Sequence, residues 1–221
     1  MLQNGTVISE NLIEKPKSFA TACTVASQIV AQVASSQYGG QSFSLEHLAP
    51  FVNISREKLR KEVTEELKNN NINVTEEQIN NIAESRLKKE ISSGIQTIQY
   101  QLITIQSTNG QSPFVTMFMY INEARDEQTK KDLLILIEEV LKQRIYGVKA
   151  PDGTLVSPSF PKLIYCLQED NITEGSKYYY LTKLAAECSS KRLVPDYISE
   201  KKMLELKGDV FPPMGCIFPF S

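Results

Sequence analysis

Pro113-Phe114-Val115-Thr116-Met117-Phe118-Met119-Tyr120 is a run of bulky, β-prone residues of strand length. It reads as a strand buried on both faces, the kind found in parallel sheets covered by helices. The flanking segments agree with this. Upstream, Thr75-Glu76-Glu77-Gln78 has the residues of a capping box and predicts a long helix reaching the 96–102 region. Downstream, Leu133, Leu134, Ile137, Val140 and Leu141 recur at helical spacing up to Gly147. Asn109-Gly110 and Pro151-Asp152-Gly153 read as turns, and Phe160-Pro161-Lys162-Leu163-Ile164-Tyr165-Cys166 is a second strand candidate. Helices alternating with buried strands predict an α/β fold, with parallel strands joined by helical crossovers.

Further out the pattern continues. After Lys15-Pro16-Lys17, Ser18 is placed to cap a helix carrying Ala22, Val25, Ala26, Ile29 and Val33, which Gly39-Gly40 stops. A second helix is predicted to follow Ser55, its mixed charges from Arg56 to Lys68 reading as a solvated face. The final third holds helices near 178–188 and 199–206. It then reaches Gly208-Asp209-Val210-Phe211-Pro212-Pro213-Met214-Gly215-Cys216, where two prolines and a glycine forbid helix and leave the thiol on a stiff loop.

With 221 residues the chain has room for one large domain or two small ones. A formal net charge of −2 offers no basic excess for nucleic acid, and no nucleic-acid partner is expected. No apolar stretch approaches the roughly 20 residues of a membrane span, and Met1-Leu2-Gln3-Asn4-Gly5 lacks the features of a signal peptide. The expected location is therefore the cytoplasm, without membrane contact. Cys23, Cys166, Cys188 and Cys216 are far apart with no C-x-x-C pair, so reduced thiols and no metal site are expected. The N-x-S/T triplets at Asn4, Asn53, Asn73 and Asn171 are read as chance.

Few residues invite chemistry. His47 is the only histidine, and any Ser/His or Cys/His nucleophile would pass through it. Its setting, a short amphipathic turn, favours an ordinary structural role. Tyr38-Gly39-Gly40-Gln41 and Asn109-Gly110-Gln111 are glycine turns able to bring backbone N–H groups to a phosphate, although most such turns are only turns. A Pro-Pro-Met-Gly lead-in suits holding one sulfur at a fixed point, which singles out Cys216 without deciding its role.

Several segments resemble the anaerobic, glycyl-radical ribonucleoside-triphosphate reductases. They are Ile13-Glu14-Lys15-Pro16-Lys17-Ser18, Ile29-Val30-Ala31-Gln32-Val33-Ala34-Ser35-Ser36-Gln37-Tyr38-Gly39-Gly40 and Thr108-Asn109-Gly110-Gln111-Ser112-Pro113-Phe114-Val115-Thr116. Phe160-Pro161-Lys162-Leu163 and the stretch from Val194-Pro195-Asp196-Tyr197-Ile198-Ser199 to Met214-Gly215-Cys216 complete the series, in family order. The resemblance implies an internal fragment of the large subunit. Its fold would be the first part of a ten-stranded α/β barrel built from two half-barrels of five parallel strands, truncated at a finger loop threaded through the centre. The expected layout over 1–221 is one partial barrel domain, with effector-site and dimer helices over about 18–106. Strands fall at about 113–121 and 160–167, and the finger loop starts at 208–216.

The same resemblance assigns roles. Cys216 matches the thiyl-radical cysteine that abstracts the ribose 3′-hydrogen of a ribonucleoside triphosphate so that the 2′-hydroxyl can leave. Glu14, Lys17 and Gln28 match contacts to a deoxynucleoside-triphosphate or ATP effector beside a homodimer interface, and Lys17 near a helix N-terminus suits a triphosphate. Tyr38, Gly39, Gly40 and Gln41 match a loop near that specificity site. Ser107, Thr108, Asn109, Gly110 and Gln111 match the loop that relays effector identity to substrate choice. The implied cofactor is a glycyl radical generated by a radical-SAM activating enzyme, on a C-terminal segment that this sequence lacks together with the family's zinc site. Where the family continues Arg-Ser-Phe-Leu, this chain reads Ile217-Phe218-Pro219-Phe220-Ser221, a change that loss of two nucleotides would produce. An interrupted reading frame and a chain inactive alone are therefore expected. The alternatives are a non-catalytic deoxynucleotide-binding and dimerisation module, or another glycyl-radical enzyme. Gly215 before and Ile217 after Cys216 disfavour relatives with two adjacent cysteines.

Overall fold

The computed structural model describes residues 2–3, 5–8, 11–36, 39–105, 110, 113–149, 152–158 and 160–212. An antiparallel hairpin of β1 (Thr6–Ile8) and β2 (Asn11–Ile13) precedes α1 (Phe19–Ser36) and β3 (Gln41–Ser44). A 3-10 turn at Leu45–His47 leads into α2 (Ala49–Asn69) and α3 (Glu76–Thr104), then β4 (Val115–Met119) and α4 (Glu127–Tyr146). A small antiparallel pair, β5 (Val148–Lys149) and β6 (Leu155–Val156), is followed by β7 (Lys162–Leu167) and the single turn α5 (Glu169–Ile172). The described chain ends through α6 (Tyr179–Arg192), β8 (Asp196–Ser199) and α7 (Glu200–Lys207).

β3, β4, β7 and β8 make one sheet in that order, and every neighbouring pair is parallel. The mixed α/β class and the parallel crossovers expected from the sequence are both present. All five residues of β4 are buried, as a strand covered on both sides requires. Strand alternation sorts its side chains. Val115, Met117 and Met119 join Leu163 and Tyr165 of β7 in the main core with α1, α2, α3, α4 and α6, while Phe118, Ile164, Cys166 and Ile198 face the other way. Among the described residues that second face is covered by Met203 of α7, with Tyr120 and Val210 at its margin.

Local signals account for most boundaries. Thr75 and Gln78 form a reciprocal capping box, with Gln78 N donating to Thr75 Oγ1 at 3.3 Å and Thr75 N donating to Gln78 Oε1 at 2.9 Å. Asp126 accepts from Thr129 N at 2.8 Å to start α4, and Gly147 at φ 73° ends it. Two expectations need correction. The second helix begins at Ala49, with Pro50 in its first turn, and not after Ser55. Ser55 is buried inside it, and its hydroxyl accepts instead from Phe19 N of α1 at 2.7 Å. Gln41, read as part of a glycine turn, is the first residue of β3, its N–H donating to Phe114 O at 2.8 Å.

α1 and α3 pack closely at Gly94. A Cβ there would lie 2.6 Å from a ring carbon of Phe19 and 3.0 Å from Cys23 Sγ, both fully buried residues. Gly94→Ala should therefore destabilise the chain. Overpacking costs about 1–3 kcal/mol, which outweighs the ~1 kcal/mol that alanine adds to helix propensity. A lower denaturation midpoint is expected, lower again for Gly94→Val; an unchanged midpoint would mean that α1 moves aside freely.

Candidate functional site

The residues assigned to an effector cluster about α1. Glu14 and Lys17 are exposed just ahead of it, and Gln28 is exposed midway along it. The buried face of α1 carries Phe19, Ala22, Cys23, Ser27 and Val30, so Gln28 projects from the side turned away from α3. From Phe19 to Gln28 the helix rises about 14 Å. A ligand touching both Lys17 and Gln28 must therefore lie along the helix.

The start of α1 is capped from within the chain. Its first amides are already engaged: Phe19 N with Ser55 Oγ, Ala20 N with Glu90 Oε1 at 3.0 Å, and Thr21 N with Ser18 Oγ at 3.2 Å. Ser55 Oγ in turn donates to the same Glu90 oxygen at 2.8 Å. A carboxylate from α3 thus occupies the place where a helix N-terminus would attract phosphate.

Gln41 joins three parts of the molecule. Its side-chain Nε2 donates to Val30 O of α1 at 2.9 Å, while its main chain pairs with Phe114, just after the second loop. Gly39 has a φ of 107° and Gly110 a φ of 74°, backbone shapes that side-chain-bearing residues rarely adopt. Gly40 is half-buried. Tyr38, Ser107, Thr108, Asn109 and Gln111 lie outside the described residues, as does Cys216.

The path towards Cys216 is described as far as Pro212. Gly208, at φ 74°, closes α7 by donating to Leu204 O at 3.0 Å, and Val210 packs at the Phe118, Ile164, Cys166 and Ile198 face. Cys23, Cys166 and Cys188 are fully buried, and burial pushes their thiols up, Cys166 to about 12. At neutral pH they are inert packing thiols.

His47 is exposed in the 3-10 turn after β3. Ser44, which caps that turn by accepting from Glu46 N at 3.1 Å, donates its own hydroxyl directly to Glu123 Oε2. With a carboxylate and no imidazole on the serine oxygen, this is not a Ser/His nucleophile. Glu123 was not singled out in the sequence, where nothing local marks it. Burial raises its carboxyl pKa, opposed by the Ser44 hydrogen bond and the nearby His47. A carboxyl whose folded pKa lies above its unfolded value of about 4.3 stabilises the fold fully below that value and loses the contribution as pH rises through the folded pKa. Glu123→Gln should thus raise the melting temperature relative to the parent near neutral pH. The gap should shrink in melts run towards about pH 4, and a gap independent of pH would refute the assignment.

Among the described residues no helix is long and apolar enough to cross a membrane. The family model for anaerobic ribonucleoside-triphosphate reductase matches residues 1–220. The chain is 35% identical over 219 residues to the anaerobic ribonucleoside-triphosphate reductase of Escherichia coli (strain K12), covering 98% of this chain and 28% of that protein. It is 34% identical over 221 residues to the enzyme of that name from Enterobacteria phage T4, covering 98% of this chain and 34% of the relative. For the Haemophilus influenzae enzyme of that name the identity is 34% over 219 residues, or 29% of its length. The chain spans about a third or less of the curated relatives that it matches, and across that span it belongs to the anaerobic ribonucleoside-triphosphate reductase family.

Proposed function

We propose that this chain is the part of an anaerobic ribonucleoside-triphosphate reductase that holds an effector nucleotide along α1 and carries the radical cysteine, Cys216. The observation that carries the reading is a one-sided parallel sheet. α1, α2, α3, α4 and α6 share a core with one face, while the short α7 and the segment through Val210 lie over the other. A doubly wound sheet would have crossover helices on both faces, whereas a barrel wall has them only outside. In this reading β3, β4, β7 and β8 belong to the first half of the ten-stranded barrel, and residues 208–216 begin the finger loop at its centre.

The chain's own residues would then divide the work. The sheet face bearing Thr116, Phe118, Ile164 and Cys166 lines the interior, and its buried apolar members keep water from a reactive sulfur. When a radical is passed to Cys216, the thiyl form abstracts the ribose 3′-hydrogen of a ribonucleoside triphosphate and permits loss of the 2′-hydroxyl. Lys17 meets the phosphates of a deoxynucleoside triphosphate or ATP, with Glu14 and Gln28 beside it on the same helix. Gln41, tied to Val30 and to Phe114, connects that helix to the strand that follows the 107–111 loop. Effector occupancy would reach the sheet through it. Homodimerisation and a radical-SAM activase complete the reading.

Calorimetric titration of the chain with each deoxynucleoside triphosphate and with ATP tests the effector surface. Saturable binding is expected, weakened about tenfold or more in Lys17→Ala, the loss of a charge-assisted contact worth about 1.5–3 kcal/mol. It should be unchanged in Cys216→Ser. No heat with any nucleotide would remove the effector assignment, and binding indifferent to Lys17 would place the site elsewhere.

A further inference from the structure

α7 is a short helix with an unusual burden. It has eight residues, too few to be stable alone, and Met203 is its buried side chain. Leu204 and Leu206 point into solvent. Yet it covers the Phe118, Ile164, Cys166 and Ile198 face and leads directly into Gly208 and Val210. Something besides packing must fix it.

Glu200, its first residue, meets the end of β4. One carboxylate oxygen, Oε1, accepts from Tyr120 Oη at 2.7 Å and from Asn122 Nδ2 at 3.0 Å. Asn122 is itself oriented by Lys130 Nζ, which donates to its Oδ1 at 2.9 Å. Tyr120 is steadied by its ring, whose centroid lies 5.7 Å from that of Phe118. β8 pairs with β7 so that Cys166 lies opposite Ile198, which brings the start of α7 over that thiol. Two hydrogen bonds converging on one acceptor oxygen make a directional anchor.

We propose that Glu200 is a positioning residue: through Tyr120 and Asn122 it clamps α7 to the β4 end of the sheet and so sets where residues 208–212 depart towards Cys216. Its importance for catalysis rests on the reading of Cys216 given above. The clamp itself is a property of described residues and is testable without nucleotide.

The test uses the whole chain and two readouts: native-state alkylation of each cysteine by iodoacetamide, mapped by mass spectrometry, and amide hydrogen exchange over 200–212. In Glu200→Ala, Cys166 should be modified at least tenfold faster and the 200–212 amides should exchange faster. Cys23 and Cys188, in the main core on the opposite face, should keep their parental rates. Tyr120→Phe combined with Asn122→Ala should reproduce this pattern. Glu200→Gln, which keeps an acceptor oxygen, should restore most of the protection. Unchanged protection of Cys166 or of 200–212 overturns the proposal. So does a parallel rise at all three cysteines, which would mean a general loss of stability, or a Glu200→Gln variant no better than the alanine. If α1 fails to bind nucleotide while this pattern holds, the effector assignment falls and the clamp stands.

Discussion

Parallel strands cannot be joined by a tight turn, so each step of a parallel sheet must carry a crossover long enough to return the chain to its starting edge. Much of this molecule follows from that requirement. β3 reaches β4 only through α2 and α3, β4 reaches β7 through α4, and β7 reaches β8 through α6. These crossovers lie on one face, where they bury Val115, Met117, Met119, Leu163 and Tyr165. The opposite face is left to α7 and the segment after it.

Buried charge in the helical layer is arranged to hold elements together. Asp132 on α4, with a fully buried side chain, receives Arg56 of α2 in a two-pronged contact, Nη2 to Oδ1 at 2.5 Å and Nη1 to Oδ2 at 3.1 Å, with Gln128 as a third donor at 3.0 Å. A buried carboxylate is tolerable only with such complete pairing. Arg144, also on α4, is buried and donates to the carbonyls of Pro158 and Pro161 at 2.6 and 2.9 Å, and burial lowers its pKa to about 10. It thereby fixes the entry to β7. Glu90 does the same for α1, and each of these tethers joins segments distant in sequence.

Much of the fold was legible where the signal is local. The Thr75–Gln78 capping box, the stop at Gly147 and the apolar runs of β4 and β7 depend on neighbours a few residues apart. β3 and β8 were not legible. Each has four residues with mostly half-buried side chains, and each becomes a strand because a buried strand beside it offers a ladder. The candidate site divides in the same way. Glu14, Lys17 and Gln28 are assigned by family resemblance alone, and no spacing rule would have selected them. The engagement of the α1 amides by Ser55 and Glu90 joins residues 36 and 70 positions apart, and Tyr120 meets Glu200 across 80.

The sequence by itself determined the α/β class, the order of its long helices and buried strands, and the family. Each follows from capping, periodicity or motif, which are short-range properties of the chain. Only the tertiary structure decided that the start of α1 is already occupied by a carboxylate, that Gln41 links α1 to the backbone ahead of β4, and that Glu200 anchors α7 over Cys166. These depend on which side chains the parallel crossovers bring within hydrogen-bonding reach, and no local pattern encodes that distance.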